Sequence, residues 1–404
     1  MILIMNIKVQ TLKGFRDFLP EQATLREFVE GKIKQTFKKF GFEPLETPAL
    51  EFAETLKGKY GEEEKLIYEF KTRGGDEVAL RYDQTVPLAR VIAQYSNELP
   101  MPFKRYQIQT VWRGENPQKG RFREFLQCDA DIVGVSSYLA DAEILSLVLE
   151  IYKNLGLSIT IKINDRSNFE NVDKKIISSI DKLDKIGEEG VINEMVEKGL
   201  SDMEAKTTLS NLQSKPLPEN LQRVLDALTS MGQDINQIKY EPTLARGLDY
   251  YTGLIFETVA EGSSGSICSG GRYDQLIGQF AGVNFPAVGF GIGFDRSLEV
   301  LQEKGLLPKY LPAAKVLVTI FNEKLAKESL RIINFLDENN ISCELWLDPS
   351  SKLEKQLKYA DQKGIPFAII IGPDEATNNK ITLKDLGQKT QTTITLDEAI
   401  QKLT

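Results

Sequence analysis

Leu25, Phe28, Val29, Ile33, Phe37 and Phe40 recur at three- and four-residue spacing, and Gly41 follows them. That spacing predicts an amphipathic helix over residues 21–41 with one apolar face. The segment FEPLETPALE, punctuated by Pro44 and Pro48, predicts extended chain. Strand-like runs follow at Leu66–Lys71 and Val78–Tyr82. Phe103–Trp112 and Arg123–Val133, joined by the polar stretch Gly114–Gly120, predict a long antiparallel hairpin. Ser136 and Ser137 open a predicted helix reaching Leu155, with Asp141 and Glu143 near its positive end.

The texture changes over residues 168–238, which are rich in Lys, Asp, Glu, Ser and Asn. Helical spacing is present at Val172–Leu183, Val191–Gly199 and Leu221–Met231, with a break at Lys215–Pro218. A small helical insertion is predicted there. Extended, glycine-rich chain returns over Tyr240–Phe294, with strands near Leu254–Val259, Ser266–Ser269 and Ala287–Ile292. After a linker around Pro308–Ala314 the pattern becomes strand–helix–strand–helix–strand from Lys315 to Ile371. That alternation predicts a separate α/β domain with a partly parallel sheet. The expected boundaries are residues 1–312, carrying the insertion at 168–238, and residues 315–404.

Composition narrows the classes. The chain has 404 residues, 41% hydrophobic and 27% charged, which excludes a disordered chain, a coiled-coil rod and a collagen-like repeat. Cys128, Cys268 and Cys343 lie far apart without a CxxC, so a disulfide framework or zinc ribbon is not expected and a reducing compartment is. No apolar run approaches a membrane span, and MILIMNIKV is a poor signal peptide. No membrane association is expected. There is no histidine, which removes imidazole bases and imidazole metal ligands together. Any chemistry must run on Arg, Lys, Asp, Glu, Tyr, Gln and backbone groups. No protein metal site is expected.

The net charge is −8, yet Phe103–Arg123 carries Lys104, Arg105, Arg113, Lys119, Arg121 and Arg123 against Glu115 alone. A polyanion would be steered to such a hairpin. A solvated basic hairpin is the plainer alternative. Period-two alternation places Arg113 and Glu115 on one strand face, and Arg121, Arg123 and Phe125 on another. A ring can stack on a base while guanidinium groups fork onto phosphate oxygens.

These residues carry a resemblance. Arg113-x-Glu115 followed by Arg121-x-x-x-Phe125 resembles motif two of the class II aminoacyl-tRNA synthetases. FEPLETPALE with Pro48 resembles motif one, the dimer-interface element, and AVGFGIGFDR ending at Arg296 resembles motif three. LARGLDYYTGLIFE (244–257) and GSICSGGRYDQL (265–276) look like the signature sequences of histidyl-tRNA synthetases. LRYDQTVPLAR (80–90) and FREFLQCDADIVG (122–134) are similar to that family too.

The resemblance implies an α+β fold: an antiparallel-sheet class II catalytic core with a helical insertion, then a C-terminal α/β anticodon-binding domain. It implies a cytoplasmic homodimer whose substrates are ATP with Mg²⁺, L-histidine and histidine tRNA. By resemblance, Arg113 and Arg246 are catalytic. Arg113, Glu115, Arg121, Phe125 and Arg296 bind ATP. Asp83, Thr85 and Gln127 hold the α-amino group, Asp131, Tyr250 and Tyr251 face the imidazole, and Arg246 also touches histidine. Gln118, beside Pro117 and Lys119 at the hairpin tip, is the candidate for the tRNA acceptor end.

Taken singly, several of these have plainer readings. Tyr250–Tyr251 fit ordinary strand aromatics, Gly265–Gly271 a plain turn, and Asp83 and Asp131 exposed or ion-paired carboxylates. A catalytically dead paralogue serving histidine biosynthesis and a non-catalytic RNA-binding module are the competing functions. The intact set Arg113, Arg121, Arg246 and Arg296, with a C-terminal domain, favours the enzyme.

Overall fold

A computed structural model describes residues 8–118, 120–245, 250–262, 265–310 and 312–403, the Glu62 side chain excepted. The chain divides into two compact units, residues 1–18 with 26–307 and residues 19–25 with 308–404. The apolar spacing near the start forms α1 (Pro20–Lys39), which buries Val29, Ile33 and Phe37. The proline-punctuated segment supplies β1 (Glu43–Pro44) and β2 (Leu50–Phe52). Next come α2 (Ala53–Leu56), β3 (Glu69–Lys71), β4 (Glu77–Leu80) and α3 (Thr85–Tyr95). The long hairpin is β5 (Phe103–Trp112) and β6 (Glu124–Val133). Then α4 (Tyr138–Asn154) begins where expected, with the Ser137 hydroxyl accepting the Leu139 N–H.

The alternating run ITIKIND forms β7 (Ile159–Asp165), a strand the spacing argument passed over. The insertion follows as α5 (Lys174–Ile180), α6 (Leu183–Glu197), α7 (Asp202–Gln213) and α8 (Glu219–Ser230). Helix α7 was not expected, although Ser201 and Glu204 close a reciprocal capping box at its start. The insertion ends in β8 (Ile238–Tyr240), which pairs with β7 in parallel. Parallel neighbours need a crossover, and the helices are that crossover. They form no separate body. Leu221, Val224 and Leu228 of α8 join the main core, while α5–α7 add Ile176, Val191 and Leu212 to a second cluster.

The chain returns through β9 (Leu254–Ala260), β10 (Ser266–Arg272), α9 (Gly278–Ala281), β11 (Ala287–Gly293) and α10 (Phe294–Glu303). One eight-stranded sheet results, in the order β1-β5-β6-β11-β10-β9-β7-β8. It is antiparallel except at its two ends. A three-stranded sheet, β2-β4-β3, stands apart. On one face of the large sheet, Tyr106, Cys128, Ala130, Phe290 and Ile292 pack into the core with α1 and α4. The Phe37 ring stacks on Tyr106 with centroids 5.1 Å apart. The opposite face of β5 and β6 carries Arg105, Gln107, Gln109, Gln127, Asp129 and Asp131, with glycines beside them on β11.

The second unit opens as expected with β12 (Val316–Val318), α11 (Ala326–Glu338), β13 (Cys343–Leu345), α12 (Leu353–Lys363) and β14 (Phe367–Ile370). Strands β13, β12 and β14 are parallel. It continues with α13 (Pro373–Thr377), β15 (Ile381–Asp385), β16 (Thr390–Ile394) and α14 (Leu396–Leu403). The antiparallel β15–β16 hairpin, which the strand–helix alternation did not foretell, completes the partly parallel sheet that was expected. No helix among the described residues is long and apolar enough to cross a membrane.

Candidate active site

Side chains alternate along a strand, so Gln127, Asp129 and Asp131 share one face of β6. Cross-strand register builds three rungs on that face. Arg105 of β5 lies opposite Asp131, Gln107 opposite Asp129, and Gln109 opposite Gln127. On the other flank, β11 contributes Gly289, Gly291 and Gly293 to the same rungs. The glycines matter here because the β6 side chains lie flat over them. A Cβ on Gly291 would come within 2.7 Å of Gln127 Nε2 and 2.9 Å of Asp129 Oδ1.

The rungs are tightly bonded. The fully buried Arg105 guanidinium pairs with Asp131 at 2.6 Å. Tyr273 donates its hydroxyl proton to the other Asp131 oxygen. Arg105 also donates to Gln107 Oε1 at 3.2 Å and to the Gln84 carbonyl at 3.3 Å. Gln84 in turn bonds the Gln109 and Gln127 carbonyls, which seats the start of α3 on the hairpin. Asp83 is thereby held over the sheet. Its carboxylate accepts the Val86 N–H at 3.1 Å and the Tyr60 hydroxyl at 3.0 Å.

A cavity of about 790 Å³ opens above this face. It brings Arg113, Glu115, Arg121, Phe125 and Arg296 together with Asp83, Thr85, Gln127, Asp131, Tyr250 and Tyr251. Every residue assigned by resemblance to ATP or histidine therefore lines one cavity, except Arg246, which lies outside the described residues. Lys119 is likewise outside them. Gln118 lies at the hairpin tip, where its backbone bonds Arg121 in both directions, and does not line the cavity.

The hairpin departs from the sequence-based expectation in two ways. The ladder stops at Trp112 and resumes at Glu124, so Arg113, Glu115, Arg121 and Arg123 lie in the connecting segment rather than on strand faces. Nor is the hairpin a uniformly free basic surface. Arg105 is spent on Asp131, and Lys104 pairs with Glu143 at 2.5 Å. What remains is aimed. Arg113 donates to the Tyr82 carbonyl at 3.1 Å, and its guanidinium sits 5.3 Å from the Phe125 ring centre. Arg296 donates to the Ser266 carbonyl at 2.8 Å. Its neighbour Asp295 pairs with Arg16 at 2.8 Å and Arg26 at 2.5 Å, and accepts the Leu126 N–H at 3.3 Å. These bonds hold the start of α10 against β6. Burial lowers the Arg296 pKa, and the nearby Arg121 charge lowers it further. Two like charges converging on one cavity invite an anion.

The acidic part has the opposite character. Burial pushes Asp83 and Asp131 up from the ordinary carboxylate range. The Val86 N–H and Arg113 oppose the rise at Asp83, and Arg105 and Tyr273 oppose it at Asp131. Burial pushes Asp129 up to about 8; Arg105 pulls down, and Asp131 and Asp83 add to the rise. Arg105, Asp129 and Tyr273 were absent from the expected site. The signal for Asp129 was available, since Gln127 and Asp131 flank it at spacing two. Arg105 and Tyr273 emerge only through pairing with Asp131.

A model of the histidyl-tRNA synthetase family matches residues 14–296, and one of the anticodon-binding domain matches residues 315–404. The chain is 41% identical to the histidine–tRNA ligase of Christiangramia forsetii, covering 93% of this chain and 94% of that one. It is 38% identical to the Cytophaga hutchinsonii histidine–tRNA ligase, covering 97% and 98%. The crystal structure of histidyl-tRNA synthetase from Nostoc sp. superposes with a TM-score of 0.84 at 33% identity, covering 98% of this chain and 99% of that one.

A carboxyl whose folded pKa is raised costs stability once the unfolded chain would ionise. For Asp129 the loss begins near the unfolded value of about 4 and is complete near 8. Asp129→Asn is therefore expected to raise the melting temperature of the ligand-free protein. The gain should grow between about pH 4 and pH 8 and then level off. Thermal denaturation of both proteins across that range checks this. A gain that shrinks as pH rises would contradict the raised value.

Proposed function

The chain belongs to the histidyl-tRNA synthetase family, and we propose that its cavity is where histidine and ATP become histidyl-adenylate before transfer to tRNA. It is an ATP-dependent ligase that joins histidine to tRNA and releases AMP and pyrophosphate. One observation carries the assignment of the cavity: Arg121 and Arg296 converge beside Arg113 above a buried acidic face. A zwitterionic amino acid and a polyphosphate together match that division of charge.

The attacking carboxylate is already ionised at neutral pH, so activation needs no general base and no histidine. Arg113 would hold that carboxylate and the α-phosphate, with Arg121 and Arg296 on the outer phosphates. Phe125 would stack on adenine while Glu115 accepts from its exocyclic amine. Asp83, Thr85 and Gln127 would take the α-ammonium, and Asp131, Tyr250 and Tyr251 the imidazole side. As the carboxylate oxygen bonds to the α-phosphorus, pyrophosphate leaves. In the second step a terminal ribose hydroxyl of tRNA attacks the acyl carbon, the hydroxyl proton passes to solvent, and the acyl–phosphate bond breaks as AMP leaves. Catalysis of this kind is positioning plus charge stabilisation. ATP enters as its Mg²⁺ complex, so the ion is part of the substrate. Gln118 would meet the acceptor end of the tRNA. No disulfide joins Cys128, Cys268 and Cys343, which suits a reducing cytoplasm.

We assign residues 1–312, with the insertion at 168–238, to catalysis and residues 315–404 to anticodon binding. We further propose a homodimer formed through the segment around Pro48. Leu50, Phe52 and Phe70 of the small sheet are exposed, and a two-fold partner would cover them.

Pyrophosphate exchange across the twenty amino acids tests the assignment, with histidine expected as the best substrate. Another amino acid in that place would overturn it. Arg246→Lys keeps the charge and loses the bidentate fork. It is expected to slow exchange about a hundredfold while histidine affinity stays within a few-fold. Near-normal exchange in a folded dimer would remove Arg246 from the catalytic set. Truncation before Lys315 is expected to spare exchange and damage tRNA charging; a folded truncation without exchange would refute the separation. Sedimentation at micromolar concentration should give a dimer, and a stable active monomer would exclude the proposed assembly.

A further inference from the structure

Asp129 has no role in the scheme above, yet its surroundings are those of a ligand group. It is 2% exposed and lines the cavity. Its Oδ2 accepts a proton from Gln127 Nε2 at 3.2 Å. Its Oδ1 has no hydrogen-bond partner among the described residues. Gln127 shares the deficit. With its amide nitrogen turned to Asp129, its carbonyl oxygen Oε1 is the free end, and that atom too has no described partner. Two buried acceptors on adjacent rungs are thus left without donors among the described residues. Such groups are destabilising unless something supplies the missing protons.

Among the described residues the Asp129 rung carries no cation of its own, and the Arg105 charge reaches it only from the next rung. Arg105 is bonded directly to Asp131, and Arg113 lies at the Tyr82 carbonyl. The facing position on β5 is the neutral Gln107, and on β11 it is Gly291. Among the described residues the other titratable groups facing Asp129 are Asp83, Asp131, Tyr250 and Tyr273, and none of these supplies a positive charge. What the rung needs is a ligand with a fixed positive charge and more than one N–H.

We propose that Asp129 is a specificity-determining residue that binds the α-ammonium of histidine. Oδ1 accepts one N–H directly, and Oδ2 holds Gln127 so that its carbonyl accepts a second. The alternative ligand group, the imidazole, fits less well. It is mostly neutral at pH 7 and then offers a single donor. An ammonium carries three donors and a charge. Asp83, on the same acidic face, and Thr85 share the remaining N–H. The inference rests on the histidine reading of the cavity and deepens it. The site selects an α-amino acid over its deaminated analogue through a carboxylate–amide couple on β6.

The test uses the full-length protein and two ligands, histidine and imidazolepropionate, which lacks only the ammonium. Calorimetry is done on the wild type and on Asp129→Asn. Loss of a charge-assisted bond should weaken histidine by about tenfold or more and leave imidazolepropionate within about twofold. Equal weakening of both ligands would make Asp129 merely structural, and no weakening of either would leave it without a role; both results overturn the inference. Should the variant not fold, the wild type crystallised with histidine decides. The α-nitrogen within about 3.2 Å of Asp129 Oδ1 supports the inference, and an imidazole nitrogen or water there overturns it. Wild-type pyrophosphate exchange separates the two levels. No exchange with histidine removes the cavity assignment and this inference together. Exchange with an unchanged ligand preference in Asp129→Asn removes this inference alone.

Discussion

The buried ion pair of Arg105 with Asp131 is the constraint around which the first unit is arranged. One face of the central sheet is apolar and covered by α1 and α4, so the polar face must settle its charges within itself. Removing one partner of such a pair leaves an uncompensated buried charge and typically costs about 3–5 kcal/mol. The exposed pair Lys206–Asp202 on α7 belongs to a class worth at most ~1 kcal/mol. Arg105 also reaches the Gln84 carbonyl, and the Gln84 amide reaches both strands of the hairpin. The same guanidinium therefore anchors the acidic face and the helix start that carries Asp83.

Elsewhere in the cavity like charges gather, positive in one half and negative in the other. Arg121 and Arg296 repel each other, while Asp83 and Asp131 raise the proton affinity of Asp129 and Asp83 raises that of Asp131. A site of this kind spends folding stability on preorganisation. Its dipoles and charges already stand where the ligand's charges will sit, so little reorganisation remains when they arrive. The helices behind the apolar face and the glycines of β11 make the arrangement tolerable, the former by burial and the latter by leaving room for flat-lying carboxylates.

Chemistry without histidine is consistent with this design. Nucleophile and leaving group are both anionic at neutral pH, and no proton has to be removed from the attacking carboxylate. Guanidinium groups, always charged and able to bond two oxygens, suffice for the phosphates. The asymmetry of Asp131 and Asp129 adds selectivity. One carboxylate is held by the Arg105 ion pair and the Tyr273 hydroxyl and acts as a rigid wall, whereas its neighbour has an acceptor with neither a cation nor a donor among the described residues.

Local periodicity was enough to predict α1, the long hairpin, α4 and the βαβαβ start of the second unit, because each is written in spacings of two to four residues. Motif order was enough to gather eleven of the assigned side chains into one cavity. Where an element's stability comes from elsewhere, local pattern was silent. Strand β7 needs β8 and β9 beside it, α3 needs the Gln84 anchor, and β15–β16 need β14. The same limit divides the site. That Gln127, Asp129 and Asp131 share a face follows from the sequence alone. That Arg105 neutralises Asp131 and leaves Asp129 open depends on the cross-strand register of β5 and β6 and on Tyr273, 142 positions away along the chain. Which carboxylate is free is a property of pairing between distant segments, and only the folded sheet decides it.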